Sequence, residues 1–302
     1  MPGEDMCGRY ASARKRIELL EEFGVQRDAV TEPLQPDYNV APTKRVYAVL
    51  DRAETAPDNP AGEPSAPGPV ERELRVVRWG LVPFWAKDVK IGGRMINARA
   101  ETVAEKPAFR RAFAKRRCLL PADGYYEWQQ QDGAAKQPVY ISRADGRPLA
   151  FAGLYELWRD PAVAREDPDA WLWTATIITT SAPDELGMIH DRMPMIIDPA
   201  RWADWLDPVT SDVADLRALL VPAAVSGLQT YPVSTQVNSV RNNGPSLIEP
   251  VQGLAASLAH LPVSGAAPVP SAIAAAKAGA AATQHRLSGA RSAGDDGTQA
   301  LF

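Results

Sequence analysis

Apolar residues at positions 17, 19, 20 and 23, separated by charges, place one apolar stripe on a short helix between Ala13 and Phe23. Leu34 to Pro42, punctuated by Pro33, Pro36 and Pro42, reads as irregular. Arg45 to Leu50 (RVYAVL) and Glu73 to Val82 read as strands. Between them the chain is rich in Pro, Ala, Gly and Glu and cannot bury enough apolar surface to fold alone, so a disordered loop is expected at about 51–70, closing a hairpin. Glu101 to Lys115 alternates charged and apolar residues at helical spacing, with Pro107 at a helix start or kink. Cys118 to Pro121 is a short apolar run into the turn Ala122-Asp123-Gly124, and the strand Tyr125 to Trp128 follows. Val139 to Ser142, Leu149 to Leu157, Leu172 to Thr180 and Leu228 to Val233 read as further strands, and Pro199 to Leu206 and Val213 to Leu220 as helices. Strands and helices do not alternate regularly, which favours an α+β domain on a curved, largely antiparallel sheet over a doubly wound fold. From about Leu254 the sequence turns to Ala, Gly, Pro and Ser with no amphipathic stripe. The expected organisation is therefore a folded domain over 7–253 and a disordered tail over 254–302.

At 302 residues the chain can bury a core without staples. Its two cysteines, Cys7 and Cys118, make neither a disulfide scaffold nor a zinc site and suit a reducing cytosol. No metal or organic cofactor is implied. No apolar run reaches the ~18 residues of a membrane span, and no charged-then-apolar leader opens the chain, so a cytoplasmic protein is expected. The net charge of −4 argues against a general nucleic-acid coat, yet Lys87 to Arg117 holds ten Lys/Arg against three acids. A local excess of this kind forms either a phosphate-facing strip or a solvated helix face.

The candidate chemistry begins at Met6-Cys7-Gly8. A cysteine at a chain's N-terminus carries a thiol (reference pKa about 8.5) and an α-amine (about 8) on adjacent carbons. Together they can capture an aldehyde as an imine and close it to a thiazolidine. The sequence begins Met1-Pro2-Gly3-Glu4-Asp5, so this reading requires initiation at Met6 or removal of residues 1–6; otherwise Cys7 is an ordinary small buried residue. Of three histidines only His190 precedes the tail, in Ile189-His190-Asp191-Arg192-Met193-Pro194. It is either a satisfied structural residue or the folded part's one imidazole proton carrier. Glu127, between aromatics in Tyr125-Tyr126-Glu127-Trp128, either faces apolar rings that disfavour its charge, as acid/base work requires, or points into water. Asn97 can position a substrate oxygen and Arg99 can grip a phosphate with paired donors, although both residue types are also common at surfaces and turns.

Six segments in order, Cys7-Gly8-Arg9-Tyr10, Tyr38 to Thr43, Trp79 to Pro83, Asn97 to Thr102, Cys118 to Trp128 and His190 to Pro194, resemble the SOS-response-associated peptidase (SRAP) family from Cys7 to about residue 250. The resemblance implies a single domain with a β-barrel-like core flanked by short helices and a DNA groove, and a function in covalent protection of abasic sites in single-stranded DNA. Transferred by position, it implies that Cys7 forms the thiazolidine and Asn97 orients amine and sugar. Glu127 would shuttle protons, and His190 would assist ring opening and reversal. Arg9, Arg99 and Arg192 would hold phosphates, and Trp79 and Pro42 would pack on flanking bases. Cys7 with Glu127 would also remove the leader, so that peptidase-like self-processing joins the lyase-type crosslinking activity. Family members usually place this cysteine directly after the initiator Met, and this sequence departs from that. The open alternatives are a cysteine peptidase acting on other proteins through Cys7, His190 and Glu127, and a non-covalent single-stranded DNA-binding module. A crosslinker of single lesions needs only a monomer, at the nucleoid. The last residues, Gln299-Ala300-Leu301-Phe302, resemble a shortened Gln-x-x-Leu-Phe sliding-clamp peptide, with Gln299, Leu301 and Phe302 as its contacts.

Overall fold

The computed structural model describes residues 8–251 apart from 54–68 and positions 132, 134, 165–166, 168–169, 184–185, 187–188 and 225–226. The expectations for residues 1–6, Cys7, most of the 51–70 loop and the tail with Gln299, Leu301 and Phe302 lie outside the described residues.

Two sheets form the domain. The first has the order β13-β9-β8-β1-β3, from β1 (Tyr10–Ser12), β3 (Asp37–Val40), β8 (Gly124–Gln129), β9 (Gln137–Arg143) and β13 (Leu228–Pro232). The second contains β2 (Arg27–Asp28), β4 (Arg45–Ala53), β5 (Val70–Trp79), β7 (Arg117–Ala122), β10 (Leu149–Arg159), β11 (Trp171–Ser181) and β12 (Arg192–Pro194), with β6 (Asn97–Arg99) added on β11. Antiparallel pairing runs β5-β4-β7-β10-β11. A short parallel pairing of Thr174 with Arg78 and Ala175 with Trp79 then joins β11 back to β5. The ring is a closed mixed five-stranded barrel, which leaves these strands no unpaired edge along that seam.

Strand alternation decides what fills the barrel. Val46, Ala48 and Leu50 of β4, Val77 and Trp79 of β5, Cys118 and Leu120 of β7, Phe151 and Tyr155 of β10, and Ala175 and Ile177 of β11 form one core. Tyr10, Val40, Tyr125, Val139 and Ile141 of the first sheet join the same cluster, so that sheet packs on the barrel. Gly153 admits the close approach of β7. A Cβ there would overlap Leu120 Cδ1 and lie 2.9 Å from Cys118 Sγ.

Among the described residues, short α-helices lie around the sheets: α1 (Arg16–Glu22), α2 (Arg110–Lys115), α3 (Trp202–Leu206) and α4 (Val213–Ala218). The Glu18 carboxylate accepts the Lys15 amide at 2.8 Å at the start of α1, and Gly24 at φ +59° follows its end. Phe23 stacks on Trp202 at 4.5 Å between ring centroids. Buried Arg117 gives its guanidinium to the carbonyls of Phe113, Ala114, Trp205, Asp207 and Thr210, tying α2 and α3 to β7. Burial lowers its pKa to about 10, so it stays charged at neutrality.

Several sequence expectations shift at their edges. Leu34 to Pro42 is not wholly irregular, because Asp37–Val40, between Pro36 and Pro42, pairs with β1 as β3. The strand expected to reach Val82 stops at Trp79, where Gly80 takes φ +119°. The helix expected from Glu101 begins at Arg110, after a series of turns that contains Pro107. The hairpin of β4 with β5 is present, and its strands extend to Ala53 and from Val70.

Gly153→Val should overpack the barrel and cost about 2–3 kcal/mol, read as a lower urea midpoint with unchanged slope. Wild-type stability in that variant would contradict the packing described.

Candidate functional site

At one end of the interface between the sheets lies a cavity of about 810 Å³ lined by Gly8, Arg9, Pro42, Ile96, Glu127, Trp128, Gln130, Lys136, Ile189, His190, Asp191 and Asn238. One wall comes from the first sheet and its hairpin, through Arg9 before β1, Glu127 and Trp128 of β8, and Lys136 before β9. The other comes from segments held on the second sheet, through Ile96 before β6 and Ile189 to Asp191 before β12. Pro42 stands in the connection of β3 to β4.

β8 fixes Glu127. Tyr125 and Glu127 share a face by alternation, and Tyr125 belongs to the barrel core. Glu127 follows it inward and is 3% exposed, which decides between the two orientations left open by the sequence. β11 fixes the opposite wall. β5 and β6 lie end to end along one of its edges, with Gly80 N–H donating to Ala175 O at 2.7 Å and Ala100 N–H to Thr179 O at 2.9 Å. This places Asn97 opposite Ile177 and Arg99 opposite Thr179. Asn97 is half-buried and next in the chain to the cavity residue Ile96, while Arg99 is exposed.

His190 stands in a loop tied down at both sides. Its own amide donates to Leu186 O at 3.2 Å, and Ala182 N–H donates to Asp191 O at 2.9 Å. Its Nδ1 accepts the Arg192 amide at 3.1 Å and lies 3.1 Å from Asp191 Oδ1. The two partners suit different states of the ring. An amide donor needs a bare Nδ1, with the proton on Nε2, whereas the carboxylate pairs with a protonated Nδ1. Arg192 itself is a clamp. It meets both oxygens of Glu101 at 2.7 and 3.0 Å and donates to Thr179 O at 2.8 Å. The terminal nitrogens of Arg192, expected to hold a phosphate, here meet Glu101 and Thr179. Hydrogen bonding to Arg192, helped by the charges of Arg192 and Arg99, holds the Glu101 carboxyl below its ordinary pKa.

Trp79 also requires a correction. It is 0% exposed, its Nε1 donates to Ile96 O at 2.9 Å, and its ring meets Tyr10 edge-on at 5.2 Å. No face remains for a base, because its place on β5 points it into the barrel. The exposed rings of this segment are Phe84 and Trp85, each 50% exposed, with the Arg111 guanidinium 4.4 Å above Phe84. Lys87, Lys90 and Arg94 share a hollow with Trp85. Exposed turn-segment aromatics beside lysines were the signal for them in the sequence.

Arg9 turns away from the barrel while its neighbour Tyr10 turns in. Its Nη1 donates to Asn39 Oδ1 at 2.8 Å and Val237 O at 3.0 Å, and its guanidinium lies 5.9 Å from the Trp128 ring centre. Burial lowers its pKa. Asn39, Trp128, Gln130, Lys136 and Asn238 were not singled out from sequence. The first two lie within recognised segments, whereas Lys136 and Asn238 had no local signal.

The description SOS response associated peptidase (SRAP) matches residues 6–240. The Bacillus subtilis abasic site processing protein YoqW is 39% identical over 244 residues, 81% of this chain and 99% of the relative. The Gallus gallus abasic site processing protein HMCES is 32% identical, covering 82% and 78%, and Escherichia coli YedK, also so described, is 32% identical, covering 82% and 100%. A crystal structure of a Bacteroides thetaiotaomicron protein, 28% identical, superposes with a TM-score of 0.65 over 81% of this chain and all of that one.

Since the folded pKa of Glu101 lies below its unfolded value, its pairing stabilises above the unfolded pKa and is lost as pH falls through the folded one. Half-exposed, the pair is worth at most about 0.5 kcal/mol after screening. Urea unfolding should show Glu101→Gln less stable by that amount at pH 7 and equal to wild type in acid. A difference that persists or grows in acid would contradict the pairing.

Proposed function

The chain belongs to the SOS response associated peptidase (SRAP) family, and on that basis we propose that it crosslinks itself to abasic sites in single-stranded DNA through Cys7 as N-terminal residue. The supporting observation is that Gly8, the residue joined to Cys7, lines one cavity with Arg9, buried Glu127 and His190. The cavity therefore offers a proton donor and acceptor within the reach of a residue that has both an amine and a thiol.

The chemistry balances without an oxidant. The Cys7 amine adds to the C1′ aldehyde of the ring-opened sugar to give a carbinolamine. Loss of one water gives the imine; the thiol sulfur then adds to the imine carbon and its proton passes to nitrogen. One C–N and one C–S bond form and one water leaves. Glu127 delivers the proton that carries off the hydroxyl, and His190 accepts and returns a proton as the sugar ring opens and the crosslink reverses. Asn97 orients the sugar from β6, Arg9 and Arg99 hold phosphates, and Pro42 and Trp85 supply apolar surface to neighbouring bases at roughly 1–3 kcal/mol each. Such contacts are indifferent to sequence, as recognition of a missing base requires. Self-removal of residues 1–6 through Cys7 and Glu127 belongs to the same proposal, as does docking of Gln299, Leu301 and Phe302 on a sliding clamp; deletion of 299–302 should abolish clamp binding, and unchanged binding would overturn that part.

Protein of N-terminal mass starting at Cys7, mixed with single-stranded DNA bearing one abasic site, should give a heat-stable shifted band on a denaturing gel. Cys7→Ala and leader-retaining protein should give none, and Glu127→Gln should slow band formation by about 10²-fold or more. Absence of the band from protein shown to begin at Cys7 would overturn the proposal.

A further inference from the structure

Trp79, kept from base stacking by its burial, has a polar use at the head of β6. The residue is held from several sides: its amide donates to Lys44 O at 2.9 Å, its carbonyl accepts the Thr43 amide at 2.8 Å, and Tyr10 meets its ring edge-on. An indole N–H can only donate, and this one is spent on Ile96 O at 2.9 Å. That carbonyl also accepts Ile177 N–H at 3.0 Å, the bond that opens the ladder of β6 on β11. Both lone pairs of Ile96 O are therefore engaged, one by the sheet and one by the barrel core. The turn after β5 adds a hold one residue earlier, where Leu81 N–H donates to Met95 O at 3.1 Å. Gly80 and Gly92 permit this approach, since a Cβ on either would stand 2.5 Å from the other's carbonyl oxygen. The end of β5 thus captures two consecutive carbonyls just before Asn97.

A carbonyl oxygen shares its peptide plane with the amide that follows it. Fixing Ile96 O from two directions therefore fixes the plane between Ile96 and Asn97, and with it the direction in which the Asn97 side chain leaves the backbone. One ladder bond alone would leave that plane free to rock, because the chain before β6 is the 3-10 helix Val89–Arg94 and a short link, with no strand to stiffen it. Ile96 lines the cavity, so a tilt of this plane is felt there directly. We propose that Trp79 is a positioning residue for the crosslinking reaction: its indole N–H sets the Ile96–Asn97 peptide and so aims the Asn97 amide at amine and sugar. The inference rests on the function proposed above and adds to it a residue that touches no DNA, being 0% exposed. Phenylalanine would fill the core without a donor, and tyrosine would carry its hydroxyl at the tip of the ring instead of on its flank.

The test measures two quantities on the chain from Cys7 to Phe302. One is the crosslinking rate at saturating single-stranded DNA bearing one abasic site; the other is the affinity for a strand with a tetrahydrofuran analogue, which cannot crosslink. Trp79→Phe removes the donor together with some volume. Replacing Trp79 by 3-benzothienylalanine removes the donor alone, because sulfur stands for N–H in a ring of the same shape. Both changes should slow crosslinking about 10-fold and leave analogue affinity within about twofold of wild type. Asn97→Ala should slow crosslinking too, and adding either change to it should slow it no further, since no amide remains to be aimed. A general loosening of the core would instead multiply with Asn97→Ala. The role of Trp79 is overturned by a wild-type rate in the benzothienyl protein or in Asn97→Ala, by multiplying losses in the double variant, or by analogue affinity that falls with the rate. Absence of crosslinking by the wild-type chain overturns the proposed function itself, an outcome distinct from these, in all of which the wild type crosslinks.

Discussion

The parallel pairing of β5 with β11 is the constraint on which the rest of the molecule depends. Only two residue pairs long, it closes the barrel and turns the chain at Gly80, whose backbone approaches Gly92 too closely for a side chain on either. That turn frees the next stretch of the β11 edge for β6, which puts Asn97 beside Ile177 and Arg99 beside Thr179. Arg192, clamped to Thr179 and Glu101, then holds the loop that carries His190. A single strand thus aligns the barrel core and the second-sheet wall of the cavity, so a slip in its register would displace both.

The opposite wall obeys a different rule. It is built from the chain's beginning and a hairpin, joined where the Tyr126 amide donates to Arg9 O at 3.0 Å, and from the late 237–242 segment, which lies outside that ladder. Buried polar bonding takes the place of strand pairing for that segment, with Asn39 as the common partner of Arg9 and residues 237, 239 and 242. Leaving such a group unsatisfied costs about 1–3 kcal/mol. The geometry around Gly8 and Arg9 is therefore set by side-chain bonds to the 237–242 segment as well as by the short strand β1.

Elements with strong periodicity were legible in the sequence. The strands at Arg45, Val139, Leu149, Leu172 and Leu228 and the apolar stripe of α1 come directly from spacing. β3 was hidden by its flanking prolines, and β6 and β12 are too short to show a period. Glu127 and His190 could be nominated from their neighbours, but the orientation of Glu127 needed the register of β8. Trp79 shows the limit of transferring a role by resemblance: its position implied packing on bases, yet its parity along β5 makes it core, and the exposed rings of that stretch are Phe84 and Trp85. Lys136 and Asn238 reach the cavity through tertiary placement, for which no local pattern exists.

The central claim concerns one covalent bond, and intact-mass and peptide mass spectrometry of the purified protein–DNA adduct test it most directly. The account predicts a mass equal to protein beginning at Cys7 plus oligonucleotide less one water, unchanged by borohydride, with the modification on the peptide that starts at Cys7. An adduct that borohydride reduces, or one carried by a lysine such as Lys136, would contradict it.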